Sequence, residues 1–155
     1  DTYQTERFSN AKEYIETTMR MGEFVNAVGS ENITDNISSG PNGTKSMQSI
    51  KPKLGVGLGS NKDENRGKIF PQLKMKNGKT LDEKFSKSPL LITSSKLSKK
   101  IYLNKIQSVT DKDIKGLKNL LKSYNAKAII VRPDRFILKT CKKVKDFNQI
   151  ESLPL

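Results

Sequence analysis

The pattern of apolar and polar positions is sharpest over residues 127–138, where Ala128, Ile129, Ile130 and Val131 form an unbroken apolar run. Such a run suits a strand covered on both faces, because a half-solvated strand would alternate. Pro133 presets φ at the first corner of a turn, Asp134 has a side chain that bonds nearby backbone, and Phe136, Ile137 and Leu138 resume strand chemistry. The segment predicts a β-hairpin. Upstream, Thr110 and Asp113 make a capping-type start for an amphipathic helix, with Ile114, Leu117, Leu120, Leu121 and Tyr124 on one face and Lys112, Lys115, Lys118 and Lys122 on the other. Ile101 to Val109 reads as a strand. Strand, helix and strand should then form a right-handed crossover to which the hairpin adds an antiparallel neighbour. Val144, Phe147, Ile150 and Leu153 suggest a closing helix.

At the other end of the chain the period is again helical. Phe8, Ala11, Ile15, Thr18, Met19 and Gly22 share one face, while Glu6, Lys12, Glu13, Glu16, Arg20 and Glu23 share the other. The apolar face calls for a partner larger than the helix itself, and the carboxylates belong to solvent. Between the two patterned ends, Ser30 to Arg66 is polar and rich in Gly, Ser and Asn. Three segments follow: a helix over 1–25, a flexible linker over 26–66 and a folded domain over 67–155.

Composition removes most catalytic chemistries. The chain has no histidine, so Ser-His and Cys-His nucleophile pairs and most zinc sites are excluded. Its one cysteine, Cys141, allows neither an intramolecular disulfide nor a C-x-x-C couple, which disfavours a thiol oxidoreductase. Gly55-Val-Gly57-Leu-Gly59 imitates a dinucleotide-binding phrase, but it follows no strand and lacks the third glycine at the required spacing. Gly67-Lys68-Ile69 fails as a phosphate loop because no Ser or Thr follows the lysine. The carboxylates all have ordinary structural readings: Asp111 and Asp113 at a helix start, Asp82 and Glu83 after a hairpin, Asp134 in the turn.

Charge is uneven. Residues 1–25 hold five acidic and three basic residues, 26–66 four and five, and 67–155 seven and twenty-one. A basic C-terminal region permits a stand-alone nucleic-acid-binding or anion-binding module. Against nucleic acid, tryptophan is absent, arginine is scarce beside lysine, and the aromatic residues fit a core better than a stacking platform. No apolar run approaches the roughly 20 residues needed to span a bilayer, and no basic start with an apolar core marks a leader, so the cytoplasm is the default.

The wording of the chain, taken in order, resembles the C-terminal region of FAD-dependent aromatic-ring monooxygenases of the phenol hydroxylase type. It begins with Tyr3, Glu6 and Arg7 in a Tyr-x-x-Glu-Arg phrase. A glycine-rich approach at Pro52-Lys-Leu-Gly55-Val-Gly57 follows, then the Gly67-Lys-Ile-Phe-Pro71-Gln72 block, an Asn77-Gly78 turn, and Arg132-Pro133-Asp134. The family commonly has glycine after the Pro-Asp, where this chain has Arg135. The resemblance implies an α/β, thioredoxin-like domain with a mixed β-α-β-β-α sheet, preceded by the terminal helix of an FAD-binding domain and an irregular linker. It implies a parent enzyme that uses FAD and NAD(P)H with dioxygen to hydroxylate a phenolic ring. The flavin, substrate and reductant sites would all lie upstream, so this piece is expected to bind no cofactor, to be inactive alone and to stabilise or assemble the enzyme. Its partners would be the upstream domains, with a homodimer as a further possibility.

Overall fold

The computed structural model describes residues 2–29, 38–39, 45–46, 50–58, 62–85, 87–98, 106–143 and 146. Helix α1 spans Thr2–Gly29, four residues past the expected end. Two short strands, β1 (Ser38–Ser39) and β2 (Lys45–Ser46), pair antiparallel. The C-terminal region then runs α2 (Leu81–Phe85), β3 (Leu90–Thr93), α3 (Ser95–Ser98), β4 (Gln107–Val109), α4 (Leu117–Ser123), β5 (Ala128–Val131) and β6 (Ile137–Cys141). It is a mixed α/β arrangement around a four-stranded mixed sheet of order β4-β3-β5-β6.

The hairpin expected over 127–138 is present. β5 and β6 pair antiparallel, and Arg135 N–H bonds the Arg132 carbonyl at 3.0 Å within the connecting loop, residues 132–136. The expected crossover is corrected. β4 and β5 are not neighbours; β3 lies between them, parallel to β4 and antiparallel to β5. The parallel crossover is therefore made one step earlier, from β3 through α3 to β4. Leu90-Leu91-Ile92, a run as apolar as that of β5, takes the central position because both of its faces are covered. Leu90 and Ile92 join Ile129, Val131, Leu117 and Leu121 on one side, while Leu91 joins Ala128, Ile130, Leu138 and Cys141 on the other.

The second helix is shorter than its pattern predicts. Thr110 donates from both N–H and Oγ1 to the Asp113 carboxylate at 2.9 Å, but this closes an isolated turn. Gly116, at φ 79, sits in the left-handed region, so the helix restarts only at Leu117. The anticipated apolar face still packs: Ile114, Leu117 and Leu121 are buried, with Leu120 and Tyr124 against them. Of the strand expected over Ile101 to Val109, residues 107–109 are observed, Ile106 precedes the strand, and 101–105 lie outside the described residues, as does nearly all of the closing-helix pattern.

Part of the span read as linker is packed. Pro52, Leu54 and Arg66 are buried, and Asp63 accepts from Thr140 Oγ1 at 2.8 Å, tying residues 62–66 to β6. The Gly67 block then runs along the outer edge of β6, where Gly67 N–H bonds Ile137 O at 2.8 Å and Ile137 N–H bonds Lys68 O at 2.9 Å. An edge that would otherwise expose a row of backbone groups is thereby satisfied. No helix among the described residues is long and apolar enough to cross a membrane.

Candidate functional site: a buried ion-pair clasp

The first turns of α1 carry Glu6, which the helical pattern assigns to solvent. The structure buries it: Glu6 is 2% exposed. An unpaired carboxylate could not remain ionised there. Its Oε1 accepts from Arg66 Nη2 at 3.1 Å and from the Leu58 N–H at 2.6 Å, and its Oε2 accepts from Arg132 Nη1 at 2.7 Å. Arg66 gives two further donors to backbone carbonyls, Nε to Leu58 at 2.6 Å and Nη1 to Gly55 at 2.8 Å.

Arg132 extends the network. Its Nη2 reaches Asp134 Oδ2 at 3.0 Å, and Arg7 Nη2 reaches the same oxygen at 3.0 Å. The Arg7 guanidinium also lies over the rings of Tyr3 and Phe136, 5.8 and 5.1 Å from their centroids. Three guanidiniums and two carboxylates from α1, the 50–66 segment and the β5–β6 loop thus form one cluster. The fork of arginine, holding different acceptors on different nitrogens, is what allows Arg66 and Arg132 each to make several of these contacts at once.

The glycines explain how α1 comes so close. A Cβ on Gly57 would occupy the space of the Glu6 Cγ and Oε1, and one on Gly55 would lie 2.5 Å from the Thr5 carbonyl and 2.8 Å from Ser9 Oγ. The Gly55-Val-Gly57 phrase is therefore a loop moulded to a helix, and Gly55 N–H donates to the Glu6 carbonyl at 2.8 Å. Asn10 completes the contact, its Nδ2 on the Pro52 carbonyl at 3.0 Å.

Of the nine positions marked by the sequence, Tyr3, Glu6, Arg7, Arg132 and Asp134 join the clasp directly. Gly67, at φ 76 with Leu54 backbone packed against it, and Pro133, in the hairpin loop, set its geometry. Gln72 lies in a separate group: its Nε2 and the Arg135 Nε both bond Asp82. Pro71, beside Gln72, makes no polar contact in either group. Arg135 has φ 66, the left-handed conformation in which glycine is usual in such loops, and its side chain is anchored by Asp82 and by the Phe85 carbonyl at 2.8 Å.

Sequence reasoning missed Arg66, Asn10 and the burial of Glu6. A signal was present. The chain has five arginines among its twenty-nine basic residues, and four of them, Arg7, Arg66, Arg132 and Arg135, hold carboxylates.

Chemically, the clasp is a network of ion pairs that ties α1 to Arg66 and to the β5–β6 loop. Every oxygen of Glu6 and Asp134 accepts at least one hydrogen bond, with Asp134 Oδ1 taking the Phe136 N–H at 3.4 Å. The carboxyls of Glu83 and Asp111 lie below the usual range because backbone N–H groups, of Thr80 and Ser95 respectively, hydrogen-bond to them, which is the chemistry of capping. Burial pushes the Cys141 thiol up to about 12, far from a reactive thiolate. The glycine-rich loop is packed against Thr5, Glu6 and Ser9 of α1, so its backbone is not an open phosphate cradle.

No protein-family model, curated protein or solved structure matches the chain.

Proposed function

We propose that this chain is the C-terminal part of an FAD-dependent aromatic-ring monooxygenase, and that it serves as a scaffold. In this reading α1 closes an upstream FAD-binding domain, and the sheet is a thioredoxin-like domain without thiol chemistry. The carrying observation is the convergence of the phrases on which the resemblance rests. Tyr3, Glu6 and Arg7 from one end meet Arg132 and Asp134 from the other, through residues next to Gly67. The strand arrangement supports the thioredoxin-like assignment: a parallel β-α-β unit with an antiparallel hairpin added against its first strand.

The outer face of α1 supports the placement of a catalytic body. Phe8, Ile15 and Met19 are exposed by 67, 61 and 63%, on the side of the helix opposite Glu6 and Asn10. Such a stripe on a helix already clasped from behind fits a second packing partner, and the upstream domain of the same polypeptide is that partner here. FAD and NAD(P)H are held by that upstream body in the cytoplasm, and the clasp fixes the C-terminal domain to it.

The gene upstream of the Asp1 codon tests this reading. It should encode a G-x-G-x-x-G after a first strand and a Gly-Asp phrase shortly before Tyr3. An upstream reading frame without them would end the flavoenzyme assignment.

A further inference from the structure

A cleft of about 440 Å³ opens between α3, α4 and the start of β5, well away from the clasp. Its floor is apolar, formed by Leu97, Leu121 and Ala126, and four lysines, Lys96, Lys118, Lys122 and Lys127, stand around it. No carboxylate among the described residues lines it. The nearest, Asp111, lies 3.6 Å from Lys118 Nζ and is committed on its other side to the Ser95 N–H at 2.7 Å. A larger cavity of about 510 Å³ near Lys139 gives the contrast: its lysines are offset by Asp63, Glu64 and Asp146.

The four ammonium groups outnumber the one carboxylate that pairs with them, Asp111 on Lys118, and Lys118 and Lys122, one helical turn apart, repel each other on a single face. The volume falls within the few hundred Å³ typical of small-ligand sites, where an apolar floor holds the body and a few polar groups fix orientation. Lysine suits an anionic head because its three rotatable donors adapt to a carboxylate or a phosphate alike.

We propose that this cleft binds an anionic amphiphile, a small organic carboxylate or phosphate monoester whose apolar body rests on Leu97, Leu121 and Ala126 while the lysines hold its head. The site does not depend on the flavoenzyme reading.

Titration of the isotope-labelled chain by amide NMR tests it, with octyl phosphate and octanoate as probes and octanol and inorganic phosphate as controls. Octyl phosphate, octanoate or both should saturate shifts at Leu97, Leu121 and Ala126, and which of the two binds more tightly identifies the head group. Octanol and inorganic phosphate should each bind at least about tenfold more weakly than the better probe. The exposed pair Lys122→Glu and Lys127→Glu should weaken that probe by about tenfold or more while leaving the remaining spectrum in place. Equal binding by octanol or by phosphate, no saturable binding by either probe, or an unchanged affinity in the double variant would overturn the proposal. So would tighter saturation of the same amides by a short RNA oligonucleotide, which would make the cleft a nucleic-acid contact.

Discussion

Glu6 in the second turn of α1 and Arg132 at the end of β5, 126 residues apart in sequence, meet in a 2.7 Å ion pair in which the carboxylate is 2% exposed. Removing one partner of such a pair leaves the other charge buried and alone, at a cost of about 3 to 5 kcal/mol. Glu6→Ala should therefore be strongly destabilising in urea unfolding, and Glu6→Gln less so, because its amide oxygen still accepts from Leu58 N–H. A Glu6→Ala chain as stable as the parent would show that the clasp contributes nothing.

Arg132→Lys should not be tolerated as a conservative change. Arg132 engages Glu6 through Nη1 and Asp134 through Nη2, and a single ammonium cannot span both with the same geometry. A loss of about 1 to 3 kcal/mol is expected. Asp134→Ala should cost a similar amount, more than a simple turn residue would, because Arg7 loses its carboxylate and Arg132 loses one of its two. On the proposed reading, turnover per bound flavin in the full-length enzyme should stay nearly intact in Asp134→Ala. Abolished hydroxylation in a stable, flavin-loaded enzyme would overturn the scaffold role.

Gly57→Ala tests the close approach of the loop to α1. The added methyl has no space beside Glu6, so the loop or the helix must shift, at about 1 to 3 kcal/mol. Gly78→Ala is the control. Open space surrounds that position, and only the positive φ of 85 opposes the change, at about 1 kcal/mol. Equal effects of the two substitutions would argue against the moulded fit.

Local pattern made much of this fold legible. The Ala128–Val131 run, the Pro133-Asp134 loop and the Asn77-Gly78 turn each announce themselves within a few residues, because strand burial and turn chemistry are local. The strand partner of β5 was not legible in the same way, since Leu90–Thr93 and Gln107–Val109 both end in a helix-bearing connection and only packing decides which lies inside. The clasp was hidden for a deeper reason. Periodicity sends a glutamate to solvent, and what reverses the assignment for Glu6 is a pair of arginines at Arg66 and Arg132 that no short window contains. The helix was likewise expected to lack a partner within the chain, whereas its polar face supplies one.

Cys141 should behave as packing and not as chemistry. With its pKa raised from 9.0 to about 12 by burial, the neutral thiol is favoured in the folded state. The resulting stabilisation is fully present below pH 9.0 and is lost as pH rises toward 12. The stability advantage of the native chain over Cys141→Ala should shrink across that window. At about pH 8 the thiol should react with Ellman's reagent only after denaturation. Rapid labelling of the folded chain would place Cys141 at the surface.

The most direct test of the two-sided helix uses the fact that Cys141 is the one native thiol and is buried. Ile15→Cys, on the exposed side, and Thr17→Cys, at a position 6% exposed, place single reporters on opposite faces of α1. In the chain alone, Ile15→Cys should be alkylated at nearly the rate of an unfolded thiol and Thr17→Cys at least about tenfold more slowly. On the proposed reading, Ile15→Cys should become protected as well in the full-length enzyme, because there an upstream catalytic body would cover that face. Faster labelling of Thr17→Cys than of Ile15→Cys, or no protection of Ile15→Cys in the full-length enzyme, would contradict a helix held by its polar side and docked by its apolar one.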